Sequence, residues 1–236
     1  MGQHPLAAAI AGVREEFAVS IADTAELRQE AFRLRHQVYC IERGFEASLS
    51  DIETDAFDDQ SCHVLLRHRA GGDVLGTVRI VLSRRARAPA QFPLQTVCAP
   101  GLLDKLPLAA TGEISRFAIS KDRRVTAGST SALMRLGLIQ GLVTASGRLR
   151  LTHWCAVMER SLLRLLQTTG IHFEPIGPLI EYHGIRQPAW CRLDAMLARM
   201  RREQPLIWEL IVEDSVWADS SDASPLHHGR ARVARG

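Results

Sequence analysis

The sequence lacks the features that identify the common enzyme classes. Its five cysteines are widely spaced and form no C-x-x-C pair, which excludes a disulfide framework and a zinc knuckle and indicates reduced thiols. No apolar run is long enough to cross a bilayer. Walker loops, G-x-G-x-x-G turns and G-x-S-x-G elbows are also missing, which excludes the usual nucleotide-binding and serine-hydrolase classes.

Strong charge of one sign is missing as well. The net charge is +3 over 236 residues, so we expect no nucleic-acid partner. The acidic segment 43–60 has no D-x-[DN]-x-[DN]-G pattern and His227-His228 is too little for a metal site, so we expect no bound metal. With 46% hydrophobic residues, the chain is long enough for one domain with a sizeable core.

The N-terminal apolar run is too short for an export signal. It extends from Leu6 to Val13, has no basic leader and is followed by Arg14. We therefore expect a cytoplasmic protein. Together with Phe17, the same run could lie against a bilayer as a peripheral contact.

Apolar periodicity predicts a mixed α/β sheet with helices on both faces, because a period of two indicates strands and a period of 3.6 indicates helices. The predicted strands are 17–21, 62–67, 74–82, 113–119, 149–156, 173–180 and 190–194, and the predicted helices are 23–42, 130–145, 161–167, 195–202 and 206–213. We expect one domain over 17–215, a flexible arm over 1–16 and a disordered tail over 216–236.

The segment Thr111–Ser120 carries the most informative residues. Glu113 and Arg116 lie on a predicted strand that is otherwise mostly apolar. Because the strand period is two, Glu113 and Phe117 should point to one face and Arg116 to the other. Two interpretations stay open: a buried structural ion pair, or two groups that reach one cleft where the strand separates from its neighbour.

An arginine within an apolar strand requires a buried partner. Arg79 lies inside Val78-Arg-Ile-Val-Leu82, where an unpaired guanidinium would be costly. Asp55, Asp58 or Glu113 could supply the anion.

Arg35 and Tyr39 lie four residues apart on the first predicted helix, so their side chains are neighbours. Most such pairs are an arginine packed on an aromatic ring, and the acidic segment 43–60 could likewise be a solvated loop. Loops of this length in a compact domain are, however, usually functional or mobile.

Basic residues precede the predicted helix 130–145. Lys121, Arg123 and Arg124 lie close to its free backbone amides, an arrangement that suits a phosphate. A second basic cluster, Arg84–Arg87, is either a solvated turn or a contact for an acidic partner.

Taken together, these residues resemble the acyl-homoserine lactone synthases, enzymes with a GNAT-type fold that use acyl-carrier-protein thioesters. The matching positions follow in the same order with similar gaps: Arg35 and Tyr39, Phe45, Asp55-Ala-Phe-Asp58, Gly76-x-x-Arg79 and Glu113-x-Ser115-Arg116-Phe117. Later segments are similar to the acyltransferases associated with PEP-CTERM/exosortase systems, which are related to N-acyl amino acid synthases: His153–Glu159, Ser161–Leu166 and Ile176–Pro188.

The resemblance implies a GNAT-type N-acyltransferase with a mostly antiparallel twisted sheet. It would move a long-chain acyl group from acyl-carrier protein to the α-amine of an amino acid, with no bound cofactor. The implied catalytic residues are Glu113 and Arg116, and the implied substrate-binding residues are Arg35, Tyr39, Phe45, Asp55, Asp58, Arg79 and Ser115. The implied donor and acyl-chain residues are Phe117, Ala118, Ile119, Lys121, Arg123, Arg124, Leu133, Leu136, His153 and Trp154.

Two departures from the family patterns bear on the substrates. Phe45 stands where lactone synthases have a tryptophan, which argues against adenosyl recognition in that loop. Thr126 stands where the pyrophosphate loop of acetyltransferases has a glycine, and a bulkier residue keeps the backbone from approaching a diphosphate. This favours a carrier-protein donor over coenzyme A, with the basic residues 121–124 and 84–87 meeting the acidic carrier.

Glu113 is the predicted base that takes a proton from the acceptor amine. Burial would raise the pKa of its carboxyl and the nearby arginines would lower it. Arg35, Arg79 or Arg116 would hold the acceptor carboxylate, and backbone N–H groups near 117–119 would meet the oxyanion. The predicted acyl slot comprises Phe117, Leu133, Leu136 and Trp154, any of which could equally be a core residue.

Two other functions stay open. A lactone synthase would acylate S-adenosylmethionine and then cyclise the product. A non-catalytic module would bind acyl-carrier protein without releasing its thiol.

Overall fold

The computed structural model describes residues 5–45, 50–83, 91–99, 101–127 and 130–218. Among these residues no helix is both long enough and apolar enough to span a membrane. The basic cluster 84–87, the histidine pair 227–228 and most of the expected C-terminal tail lie outside the described residues.

The described residues form one eight-stranded sheet and its surrounding helices. The strands are β1 Phe17–Ile21, β2 Ser61–His68, β3 Val74–Leu82, β4 Thr111–Ile119, β5 His153–Glu159, β6 Glu174–Pro175, β7 Ile180–Glu181 and β8 Ile185–Arg192. The α-helices are α1 Pro5–Glu16, α2 Ala25–His36, α3 Leu94–Val97, α4 Lys121–Ala127, α5 Ser131–Arg148, α6 Arg160–Gln167, α7 Leu193–Glu203 and α8 Pro205–Val212.

The sheet is mostly antiparallel, in the order β1-β2-β3-β4-β5-β8-β6, and β7 pairs with β8. The main core lies between one sheet face and α1, α5, α7 and α8. On the opposite face α2 packs through Ala31 and Leu34 against Leu65 and Val74. The predicted mixed sheet with helices on both faces is therefore confirmed.

The one parallel pair in the described sheet, β4 with β5, is short. Its register joins Thr111 to His153 and Glu113 to Cys155, and no pairing of these two strands follows. Beyond that point β4 continues alongside β3 while β5 continues alongside β8. The two strands therefore separate directly after Glu113 and leave a gap in the sheet.

Several elements differ from the sequence predictions. Part of the expected flexible arm is helix α1, whose Ile10 and Val13 side chains are buried in the main core together with Phe17. These three side chains are therefore not available for a bilayer. The apolar spacing of this segment suits a packed helix as well as a surface one, which is why the sequence did not distinguish the two.

The first long helix is also divided. Its N-cap is Thr24, whose hydroxyl accepts from the Leu27 N–H. The α-helix ends at His36 and continues as a π-helical segment over Gln37–Glu42, a geometry that is frequent at functional sites. Residues 121–127, which lie outside the predicted helices and strands, form α4.

Helix α5 approaches the sheet closely because it has glycines four residues apart on one side. A Cβ at Gly141 would lie 2.3 Å from Val64 Cγ1 and 2.6 Å from Val19 Cγ1, and a Cβ at Gly137 would lie 2.6 Å from Leu66 Cδ1. Neither glycine leaves room for a methyl group.

We expect Gly141→Ala to destabilise the protein. Overpacking of a core costs about 1–3 kcal/mol, which exceeds the helix-propensity gain of about 1 kcal/mol. Gly12→Ala in α1 is the matched control, because its Cβ would meet nothing closer than 3.6 Å and only the propensity gain remains. Urea denaturation should show opposite signs for the two variants. Equal stabilisation by both would contradict the close approach of α5.

Candidate active site

The gap between β4 and β5 opens into a cleft of about 550 Å³. Apolar side chains from both strands and from α5, α6 and the following segment line its interior: Ile114, Phe117, Ile139, Leu142, Trp154, Met158, Leu162, Leu165, Leu166, Ile171 and Phe173. Polar and charged groups surround its mouth: Tyr39, Arg43, Arg116, Lys121, Arg124, Arg135, Tyr182, His183 and Arg186. An apolar interior with a few polar groups at one end is typical of a ligand site.

Glu113 lies at the point where β4 and β5 separate and lines the cleft, although its residue is only 3% exposed. Its Oε2 accepts a hydrogen bond of 2.8 Å from the Leu94 N–H. Burial raises the pKa of this carboxyl to about 8, and the Leu94 hydrogen bond and the charge of Arg79 oppose the shift only in part. A proton can therefore be taken up or released here near neutral pH.

A β-bulge brings Arg116 to the same face as Glu113. Between Thr77 and Arg79 of β3, the partners on β4 move from Ala118 to Ser115, so β4 contains one extra residue. Arg116 lies in this bulge with φ of 51°. The sequence prediction that Glu113 and Arg116 start on opposite faces was wrong, because strand periodicity does not anticipate a bulge.

The bulge also resets the residues after Arg116. Phe117 and Ile119 pack against the main core on the cleft side, and Ala118 packs against α2 on the opposite face. The predicted pairing of Phe117 with Glu113 on one face was therefore wrong as well. Phe117 and Ile119 line the cleft, and their contact with an acyl chain stays a prediction.

Three arginines and three carboxylates form a buried ion-pair network beside Glu113. Arg35 donates to Glu53 and, at 2.6 Å, to Asp58. Arg79 bonds Asp55 and Asp58, each at 2.6 Å. The three positive and three negative charges share hydrogen bonds and neutralise one another. Charged groups in a protein interior require such partners.

Ser115 and Arg116 complete this network at the cleft. Arg79 Nε donates to Ser115 Oγ at 3.0 Å. Arg116 contacts Glu53 at 3.0 Å and Asp55 at 3.1 Å, and its guanidinium lies 5.7 Å from the centre of the Tyr39 ring.

The network keeps its carboxylates ionised. Burial favours the neutral acid, but the hydrogen bonds and charge of Arg35 together with the charge of Arg79 outweigh it and lower the pKa of Asp58 to about 2. The pKa values of Glu53 and Asp55 are lowered for the same reasons.

Of the three arginines considered for an acceptor carboxylate, Arg116 is the one that lines the cleft. Arg35 and Arg79 are 0% and 1% exposed, and each guanidinium is already paired with two carboxylates. The side chain of Arg116 is 21% exposed. Among the described residues, its hydrogen bonds use Nε and its ion pairs use Nη2.

The remaining predicted residues divide into two groups. Tyr39, Phe45, Lys121, Arg124 and Trp154 line the cleft. The described lining does not include Leu133, Leu136, His153 or Arg123: the two leucines pack in or against the main core, His153 stacks on Trp190, and Arg123 donates to the Val74 carbonyl.

Sequence reasoning missed Glu53 and His63. Glu53 is 4% exposed and joins Arg35 to Arg116. The charge balance of the sequence could have indicated Glu53. Three arginines on mostly apolar elements require three anions, and only two aspartates, Asp55 and Asp58, had been assigned as their partners. His63 is buried, its Nε2 lies 3.7 Å from Asp58, and its ring nitrogens have no hydrogen-bond partner among the described residues.

The sequence also did not anticipate the hairpin β7–β8 at the mouth. His183 and Gly184 at its turn have φ of 48° and 97°, and His183 stacks on Phe45 with ring centres 5.6 Å apart. Arg186 donates to the carbonyls of Tyr182 and His183 and so fixes the turn. No motif in the sequence indicates that this hairpin reaches residue 45.

Comparison with known proteins fits this geometry. Residues 34–134 match the family model described as "Acetyltransferase (GNAT) domain". This segment is therefore similar to the acetyltransferases of the GNAT family. The predicted GNAT-type fold and the predicted enzyme class, an acyltransferase, are thereby confirmed.

Several solved structures superpose on most of the chain. FeeM, an N-acyl amino acid synthase from uncultured soil microbes, has a TM-score of 0.60 at 17% identity and covers 78% of this chain and 96% of its own. MesI, a CoA-dependent acyl-homoserine lactone synthase, has a TM-score of 0.58 at 20% identity, with coverage of 79% and 93%. LasI, an AHL synthase, has a TM-score of 0.56 at 21% identity, with coverage of 75% and 89%. No curated protein matches the sequence.

Asp58→Asn tests the network of this GNAT domain, because it leaves Arg35 and Arg79 short of an anion. We expect the free energy of unfolding at pH 7 to fall by about 3–5 kcal/mol, as when a buried pair is broken. The control is Arg33→Ala on the same helix, whose exposed side chain is paired with Asp51 at 3.8 Å; it should cost less than about 1 kcal/mol. Urea denaturation measures both, and an Asp58→Asn variant as stable as the wild type would contradict the assignment.

Proposed function

We propose that the protein transfers a long-chain fatty acyl group from an acyl-carrier-protein thioester to the α-amine of an amino acid. The observation that carries the proposal is the position of Glu113: a buried carboxyl with a pKa of about 8 at the head of an apolar cleft. Amide formation from a thioester needs a proton acceptor beside the nitrogen and an apolar space for the chain, and the cleft supplies both.

Near its pKa of about 8 a fraction of the Glu113 carboxyl is ionised, and this fraction takes a proton from the ammonium group of the acceptor, directly or through water. The free amine then attacks the thioester carbonyl, the C–N bond forms, and the C–S bond breaks. The nitrogen then loses its second proton, the departing pantetheine thiolate gains one, and the pantetheine leaves as a thiol. A base with a pKa near the working pH is the most efficient for this task.

Arg116 is suited to hold the acceptor carboxylate. Its side chain lines the cleft, and a guanidinium donates charge-assisted hydrogen bonds to a carboxylate. Glu53 and Asp55 fix this guanidinium, so its geometry is set before the substrate arrives. Arg35 and Arg79 then act as structural supports rather than substrate ligands.

Backbone N–H groups of β4 would donate hydrogen bonds to the developing oxyanion. Beyond Glu113 this strand is no longer paired with β5, so backbone N–H groups on that edge are available to a ligand. The acyl chain would extend between Phe117, Trp154 and Phe173 toward the apolar end of the cleft.

An acyl-carrier protein suits the basic side of the mouth. Lys121, Arg124 and Arg135 line the cleft where a phosphopantetheine arm would enter, and they match a single phosphate and an acidic carrier. Thr126 in α4 stands where coenzyme A binding would favour a glycine.

A lactone synthase is the second candidate, and the aromatic groups at the mouth favour it. Tyr39, Phe45 and His183 line the cleft, and an aromatic lining suits an adenine. S-adenosylmethionine also carries an α-amine and a carboxylate, so Glu113 and Arg116 would act in the same way.

A free-thiol assay with long-chain acyl-carrier protein separates these functions. Thiol release with one or more amino acids, and an N-acyl amino acid by mass spectrometry, is the expected result. Release with S-adenosylmethionine and a base-labile lactone would identify a lactone synthase. Tight carrier binding without thiol release for any acceptor would identify a non-catalytic module.

Glu113→Gln should lower the rate of acyl transfer at least about a hundredfold, because a positioned base contributes 10²–10⁴-fold. The matched control is Glu159→Gln, a second carboxylate on the cleft that is paired with Arg186 at 3.2 Å; it should stay close to the wild-type rate. Wild-type turnover by Glu113→Gln would remove this residue from the mechanism.

The raised pKa of Glu113 also predicts a pH-dependent stability. Its carboxyl stays protonated up to about pH 8 in the folded protein but ionises near its ordinary pKa of 4.5 when unfolded. The folded state therefore binds more protons between these values, and its stability falls as pH rises, by up to about 1.4 kcal/mol per pH unit. The Glu113→Gln variant has no carboxyl here and so lacks this loss of stability. The difference between its melting temperature and that of the wild type should therefore become more favourable to the variant between pH 5 and pH 8.5. A constant difference would show that the carboxyl is not held in its neutral form.

A further inference from the structure

Exposed apolar side chains gather at the mouth of the cleft. Of the large hydrophobic residues that are exposed in the described part of the chain, two lie elsewhere, Leu149 and Val216. The others belong to elements that border the cleft: Ile41, Phe45, Val125, Leu165, Leu179, Tyr182 and Ile185. Val125, Ile41 and Ile185 are exposed by 73%, 61% and 54%, so they protrude into solvent rather than line a groove.

Direct contacts connect three of these elements. The Glu42 carboxylate accepts from the Lys121 N–H at 2.9 Å and from the Ser120 hydroxyl at 2.6 Å, which ties the π-helical segment to α4. Phe45 stacks on His183, which ties the same region to the hairpin β7–β8. The π-helical segment with residues 43–45, α4 and the hairpin therefore form one continuous border, here called the apolar rim.

The apolar rim also carries cations. Arg43 and Lys121 are exposed and Arg124 is partly exposed, and all three line the cleft mouth. The carboxylates on the rim are Glu42, which is engaged with α4, and the exposed Asp122 and Glu181. Protruding apolar groups beside basic side chains are the combination that binds an anionic lipid surface.

We propose that the apolar rim docks onto an anionic lipid bilayer in alternation with the acyl-carrier protein, which would use the same basic residues, so that the cleft opens against the membrane once the carrier has left. Aliphatic side chains that protrude singly from separate elements suit insertion among lipid headgroups, whereas a protein partner would be expected to fill a groove. The inference rests on the proposed function for one point: a fatty product could pass from the apolar cleft into the bilayer without crossing water.

Co-sedimentation with lipid vesicles tests the proposal. The full-length protein should pellet with vesicles of phosphatidylglycerol and phosphatidylcholine and remain in the supernatant with vesicles of phosphatidylcholine alone. Raising the salt concentration should weaken the binding, because exposed charges are screened. Absence of binding to the anionic vesicles would overturn the proposal.

The double variant Val125→Ser/Ile185→Ser, which adds no charge beside the basic residues, should reduce the bound fraction at least tenfold. Val216→Ser is the matched control, since Val216 is 63% exposed but lies beside Gly147, away from the rim, and it should bind like the wild type. An undiminished bound fraction in the double variant, or an equal loss in the control, would overturn the proposal. Vesicle binding that is kept while acyl-carrier-protein binding is lost would overturn it in favour of a protein partner.

Activity in vesicle-free buffer separates this proposal from the function on which it rests. The double variant should release thiol at the wild-type rate there, because neither residue touches the cleft machinery. If the wild-type protein releases thiol but does not bind vesicles, the lipid-docking proposal is contradicted and the proposed reaction is not. If it binds vesicles but releases no thiol, the proposed reaction is contradicted and the lipid-docking proposal is not.

Discussion

The separation of β4 from β5 is the constraint on which the rest of the site depends. The strands pair from Thr111 to Glu113 and then follow different partners, β3 and β8. In a closed sheet Glu113 would be a buried acid with no role. Because the strands part beside it, its carboxyl reaches a cleft while bulk water is largely excluded. That balance explains how burial can outweigh the nearby arginines and raise the pKa to about 8.

The ion-pair network determines what surrounds that carboxyl. Arg35 and Arg79 hold the acidic loop against α2 and β3, and the loop in turn holds Arg116 at the cleft. Apolar replacements of a buried ion pair are often as stable as the pair itself, so stability alone does not account for six charges here. Fixing one guanidinium in a set orientation does account for them, because a preorganised group costs little to align with a substrate.

The sequence indicated the main strands and the unusual charges on them, since a buried Arg79 or Glu113 departs from an apolar pattern. It could not indicate which face Arg116 occupies, because the bulge at φ of 51° depends on pairing with β3. Glu53 was hidden among similar acids in an aperiodic loop. The reach of the β7–β8 hairpin to Phe45 is a tertiary contact between residues far apart in the chain, and α1 was underestimated because its burial depends on α5 and α8.

The central claim is that Glu113 is a neutral acid at rest and that its carboxyl meets the acceptor. Infrared difference spectroscopy against Glu113→Gln isolates this carboxyl and measures its protonation as pH is varied, with and without an unreactive α-hydroxy analogue of the amino acid. The account predicts a protonated carboxyl band at pH 7 that titrates near pH 8 and shifts when the analogue binds. A carboxyl ionised at pH 7, or a band that does not respond to the analogue, would contradict it.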